Sequence, residues 1–110
     1  MSLSGWFKNV FANKSGSALD HYKSGIVKAE KRDHNGAIEE YSTTIDHPSA
    51  DESLRSMALY NRALVLHVEN QNDEAVVDLE RVIKMHGAHT KVKTAAKHKL
   101  DRIRKRTGQN

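Results

Sequence analysis

The chain has 110 residues, 29% of them charged, a formal charge of +4 and no cysteine, which sets it as one small domain without a disulfide framework, a thiolate nucleophile or cysteine-ligated zinc. No stretch reaches the ~18 apolar residues of a membrane span. The N-terminal apolar segment lacks the continuous run and small-residue cleavage site of a secretory signal, so a cytoplasmic location is expected.

The first predicted element is an amphipathic helix in residues 1–16. Leu3, Trp6, Phe7, Val10 and Phe11 recur at helical spacing, and Asn13-Lys14-Ser15-Gly16 forms a flexible junction after them. The only tryptophan and both phenylalanines lie here. Such a stripe needs a cover: a groove of its own chain, a groove of a neighbour, or a membrane surface. Lys8 and Lys14 are few for anionic lipid, which disfavours the membrane.

Residues 17–88 read as two similar units, about 17–50 and 53–88. A shift of 38 residues places Tyr22 on Tyr60, Gly25 on Ala63, Ile26 on Leu64, Val27 on Val65, Ala37 on Ala75, Ile38 on Val76 and Ile45 on Ile83. A fixed period of this size marks stacked units that cannot bury their faces alone. In the first unit, Leu19, Tyr22, Ile26 and Ala29 form one stripe over 17–33, and Ala37, Ile38, Tyr41 and Ile45 form another over 35–46. His34-Asn35-Gly36 is the expected turn between them, and "DHPSADES" separates the units. The second pair is expected at about 53–70 and 73–86. Its first helix, "LRSMALYNRALVLHVEN", is apolar nearly all round and should be covered on most sides, more than one partner helix can provide.

Twelve residues separate the small residue of each first helix, Gly25 or Ala63, from that of each second, Ala37 or Ala75. With "LYNRA" (Leu59–Ala63), "DEA" (Asp73–Ala75) and "GAIEEY" (Gly36–Tyr41), this spacing resembles the tetratricopeptide repeat, a helix-turn-helix unit. The resemblance covers about residues 18–87. It departs in period, with the additional residues expected around His47–Ser53, and in Thr44, where a small apolar residue is usual. It implies an all-α superhelix of stacked helix pairs whose first helices line a concave, peptide-binding groove. The implied lining is Leu19, Tyr22, Ile26 and Ala29, then Met57, Tyr60, Leu64 and His67. Asn61 and Arg62 are candidate polar contacts, although Asn61 equally fits a local backbone role. The family's two-carboxylate clamp is not expected, because Tyr22 and Ile26 stand where it needs lysine and asparagine. The implied function is a non-catalytic adaptor for a peptide or amphipathic helix, and two repeats alone favour end caps or a homodimer.

Residues 89–110 read as a basic capping helix with a frayed tail. Val92, Ala96, Leu100 and Ile103 form its inward stripe. The formal charge is segregated: +2 in residues 1–14, −5 in 15–90 and +7 in 91–110. Lys97, Arg102, Arg104, Lys105 and Arg106 are the candidate polyanion contacts, with Lys91, Lys93 and Lys99 beside them. No aromatic residue is interleaved for base stacking, so the residues disfavour sequence-specific nucleic-acid binding.

Catalytic and metal readings find little support. His86 and His89 straddle Gly87 without a third ligand nearby. Glu39-Glu40 and Asp73-Glu74 are the carboxylate pairs expected of helix surfaces, and no phosphate loop or nucleophile-base arrangement occurs. No enzyme activity, cofactor or metal is expected.

Overall fold

The computed structural model describes residues 16–108. The N-terminal stripe of Leu3, Trp6, Phe7, Val10 and Phe11 lies outside the described residues. Five helices follow in order: α1 (Ala18–Glu30), α2 (His34–Asp46), α3 (Glu52–Val68), α4 (Asn72–Lys84) and α5 (Thr90–Thr107). There is no strand among the described residues.

Local chemistry sets the helix ends. Ser17 opens α1 with a reciprocal capping box: its Oγ accepts from the Asp20 N–H at 3.2 Å, and Asp20 Oδ2 accepts from the Ser17 N–H at 3.3 Å. Asp33 caps α2 through the Gly36 N–H, and Asp51 caps α3 through the Leu54 N–H. α2 stops at His47, which is extended before Pro48 as a residue ahead of proline prefers. α5 ends at Gly108, whose φ of 76° is left-handed and suits glycine.

The turn inside the first pair differs from expectation. His34, Asn35 and Gly36 are the first turn of α2, and the reversal is made one step earlier by Arg32, at φ 63°. The Asp33 N–H then reaches the Lys28 carbonyl at 2.9 Å, the six-to-one bond of a left-handed helix stop. Asn70, 38 residues on, has φ 62°, and the Gln71 N–H bonds the Leu66 carbonyl at 2.8 Å. Arg32 carries no composition signal for this backbone, so the sequence pointed to the neighbouring asparagine and glycine instead.

The 38-residue register persists in the helices. α2 and α4 are offset by it at both ends, and α1 and α3 at their C-terminal ends. The additional residues, expected around His47–Ser53, fall in the first turn of α3 and overlap the end of that stretch. The connections His47–Asp51 and Met85–His89 are equally long, whereas α3 has 17 residues against 13 in α1, α2 and α4. The length went into the helix with the most neighbours.

Consecutive helices pack on each other, and α3 also touches α1 and α5. Four neighbours explain why its sequence is apolar nearly all round. Ala58, Leu59 and Ala63 have no exposed surface, nor do Ala37, Ala75, Leu79, Val82 and Ala96 on the helices around it. Alanine at these positions lets the helices approach closely, and each buried leucine contributes about 1.5–3 kcal/mol. Besides Asp78, two polar residues are buried in this core with hydrogen-bond partners. Thr44 Oγ1 donates to the Glu40 carbonyl at 2.9 Å, and Ser56 Oγ donates to the Ser53 carbonyl at 2.6 Å while accepting from the His89 N–H. Arg55 ties the connection after α2, donating to the carbonyls of Ile45 and Ala50.

Candidate binding surfaces

Met57, Tyr60, Asn61, Leu64 and His67 recur at three- and four-residue spacing, so they share one face of α3. Tyr22 joins this face to α1: the Asn61 side-chain amide donates to its hydroxyl at 2.8 Å, across 39 residues of sequence. Burial pushes the Tyr22 phenol above its ordinary value, with the Asn61 bond pulling the other way. Around this stitch Ile26, Ala29, Met57 and Tyr60 pack on the core but are only partly covered, Leu64 is half-buried, and Leu19 is 45% exposed. His67 Nδ1 lies 2.7 Å from Asn72 Oδ1, at the edge of the face. Asn61 therefore ties two helices together while its side chain stays partly exposed.

Arg62, the other candidate polar contact, is engaged elsewhere. Its Nε and Nη2 donate to the two oxygens of Asp78, both at 2.8 Å, and its Nη1 donates to Ser42 Oγ at 2.9 Å. The Asp78 bonds raise the Arg62 guanidinium above its ordinary pKa, against the opposing pull of burial. This group clamps α2, α3 and α4 together and is occupied by that task.

A third group lies on another face of α1. Glu40, at the middle of α2, receives Ser24 Oγ at 2.8 Å and Lys28 Nζ at 3.0 Å, with His21 Nδ1 at 2.9 Å from its other oxygen. Asp20, Glu39 and Thr43 complete an open cleft of about 640 Å³ around it. The His21 ring also stands 5.9 Å from that of His47. Glu40 was expected to be a solvated surface carboxylate with Glu39; Glu39 is exposed, but the Glu40 side chain is only 18% exposed and fully bonded. Asp73 and Glu74 are exposed in the first turn of α4, as expected of that pair.

No family model, curated protein or solved structure matches this chain. Its surfaces therefore have to be judged on their own chemistry.

Burial, the largest single influence, pushes the Glu40 carboxyl up, but the bonds from His21, Ser24 and Lys28 together with the Lys28 charge outweigh it and hold the carboxyl below its ordinary value of 4.5. A carboxyl with a depressed folded pKa contributes stability above the unfolded pKa and loses it as pH falls through the folded one. Urea midpoints should therefore drop as pH passes below 4.5, and Glu40→Gln should flatten that part of the profile. An acid limb identical in the two proteins would show that this group is not linked to folding.

His89 caps α5, its Nδ1 accepting from the Lys91 N–H at 3.2 Å, while His86 is exposed. On α5, Val92, Ala96, Leu100 and Ile103 face inward, as the stripe predicts. Arg104 pairs with Glu80 at 2.6 Å, and Lys93 Nζ donates to the Met85 carbonyl. Lys97, Arg102, Lys105 and Arg106 are exposed. No helix among the described residues is long and apolar enough to cross a membrane. The Glu40 cluster and the Arg62–Asp78 clamp were missed by sequence reasoning. Their partners lie 12 to 20 residues apart on different helices, where no spacing rule applies.

Proposed function

We propose that the chain is a tetratricopeptide-like scaffold that takes an amphipathic helix along the α1–α3 face. The 38-residue register, the matched left-handed turns at Arg32 and Asn70 and the small residues at the helix contacts support the family reading. The observation that carries the binding reading is the partly covered strip of Ile26, Ala29, Met57, Tyr60 and Leu64, held in register by the Tyr22–Asn61 bond. A strip of this kind, ordered by the core beneath it and open above, suits the i, i+3, i+4, i+7 anchors of a helix in a groove. The occupant is the N-terminal stripe of Leu3, Trp6, Phe7, Val10 and Phe11, from the same chain or from a twin in a homodimer; an external helical peptide would compete for the same strip. The reading requires no cofactor and no turnover.

Trp6 is the only tryptophan, so tryptophan emission reports on that stripe alone. Emission of the full chain should be blue-shifted and resist acrylamide quenching several-fold better than a peptide of residues 1–14. Leu64→Glu should abolish the protection, whereas Val77→Glu, an exposed position on α4, should leave it intact. Protection lost on dilution assigns the occupied groove to a twin; protection independent of concentration assigns it to the same chain. Quenching equal to that of the free peptide would overturn self-occupancy.

A further inference from the structure

We propose that the outward face of α5 is a second binding surface, independent of the α1–α3 strip, that docks on the phosphate backbone of a nucleic-acid duplex without reading its sequence. The fold turns the charge asymmetry of the sequence into a spatial one. Helices pack in chain order, the described chain is elongated at 57 × 28 × 17 Å, and α5 is the last helix, touching α4 and α3. The residues carrying +7 therefore sit at one end of a body carrying −5 over residues 15–90.

On α5 itself the inward stripe commits one side to the core, which leaves Lys91, Arg102, Lys105 and Arg106 exposed on the outer side by helical spacing, with the half-buried Lys99 at their edge beside the stripe. They extend over about 22 Å of helix. Asp101 is the one acidic residue of the helix, and the ion pair formed by α5, Arg104 with Glu80, lies on the side facing α4. The remaining cations press on each other: burial, then the charges of Arg102 and Arg106, hold the Lys99 ammonium below its ordinary pKa. Like charges at these spacings cost stability, and an opposing anion offsets that cost.

The class of anion follows from what the face lacks. It exposes no large apolar side chain, so a protein partner would have no apolar centre to bury. It holds no Phe, Tyr or Trp, so it offers no platform for unpaired bases. A phosphate backbone needs neither, since affinity comes from counterions released by the cations that replace them.

Fluorescence anisotropy of the full chain with a labelled duplex of about twenty base pairs should give a Kd of about 10⁻⁴–10⁻⁶ M near physiological salt, and log K should fall against log salt with a slope of about −4.5 for five contacts. The variant R102Q/K105Q/R106Q removes three exposed charges; it should melt as the parent does, bind at least tenfold more weakly and show a slope of about −2. R102K/R106K keeps the charge and should bind nearly as the parent does. No binding at ~50 mM salt, or a slope near zero for the parent, would overturn the proposal. So would unchanged binding by the triple variant. A polyglutamate peptide or anionic vesicle bound as tightly as the duplex would overturn it in favour of an acidic protein or a lipid surface.

Discussion

Asp78→Ala should destabilise the fold by about 3 kcal/mol, a larger loss than any surface change. Asp78 is 4% exposed and takes two parallel bonds from Arg62, the strongest geometry available to a guanidinium. Removing the carboxylate strands the Arg62 charge between α2, α3 and α4, with the Ser42 hydroxyl as its remaining partner. The Arg62 side chain keeps 22% of its surface exposed, and the water reaching it holds the expected cost to the lower end of the ~3–5 kcal/mol seen for broken buried pairs. R62M/D78L, which removes both charges and keeps the volume, should recover most of the loss. Urea denaturation of R62M, D78L and R62M/D78L beside the parent closes the cycle. A loss below about 1 kcal/mol for Asp78→Ala would mean that the three helices are held by apolar packing alone.

Gly25→Val should cost about 2–3 kcal/mol by overpacking. A Cβ at Gly25 would lie 2.6 Å from Tyr41 Cε1 and 2.7 Å from Cδ1. The Tyr41 ring is 2% exposed and so has no room to swing aside. The second unit solves the same crossing with other volumes: Ala63 and Leu79 stand at the positions of Gly25 and Tyr41, and both are fully buried. A methyl is gained on one side of the contact while the aromatic ring is lost on the other. Gly25→Ala is the sharper test. At an open helical site it would stabilise by ~1 kcal/mol, yet here it should destabilise. In a Tyr41→Leu background, which recreates the Ala63–Leu79 pair, the sign should reverse. Thermal melts of the four proteins decide it, and a stabilising Gly25→Ala in the parent would mean that the ring yields.

Both predictions rest on contacts between helices, and the sequence was uneven about these. The stripes of α1 to α5 were legible because the period of a helix is a local property, whereas the caps at Ser17, Asp33 and Asp51, which act within three residues, were not singled out, and the helix ends were placed only to within a few residues. Repetition made the small positions legible as well: Gly25, Ala37, Ala63 and Ala75 could be matched between units without knowing what they touch. The turn at Arg32 was not, because an arginine at positive φ has no composition signal and is held by the bonds around it.

The candidate surfaces divide in the same way. Sequence alone determined an all-helical chain of two similar pairs with a basic last helix, because side-chain spacing and charge are written along the backbone. Only the tertiary structure decided that Asn61 bonds Tyr22, that Arg62 belongs to Asp78 and Ser42, and that Glu40 is a partly buried acceptor for His21, Ser24 and Lys28. Each of those depends on how two helices are rotated and set against each other. That relation is fixed by the summed packing of the core rather than by any residue that takes part in the bond.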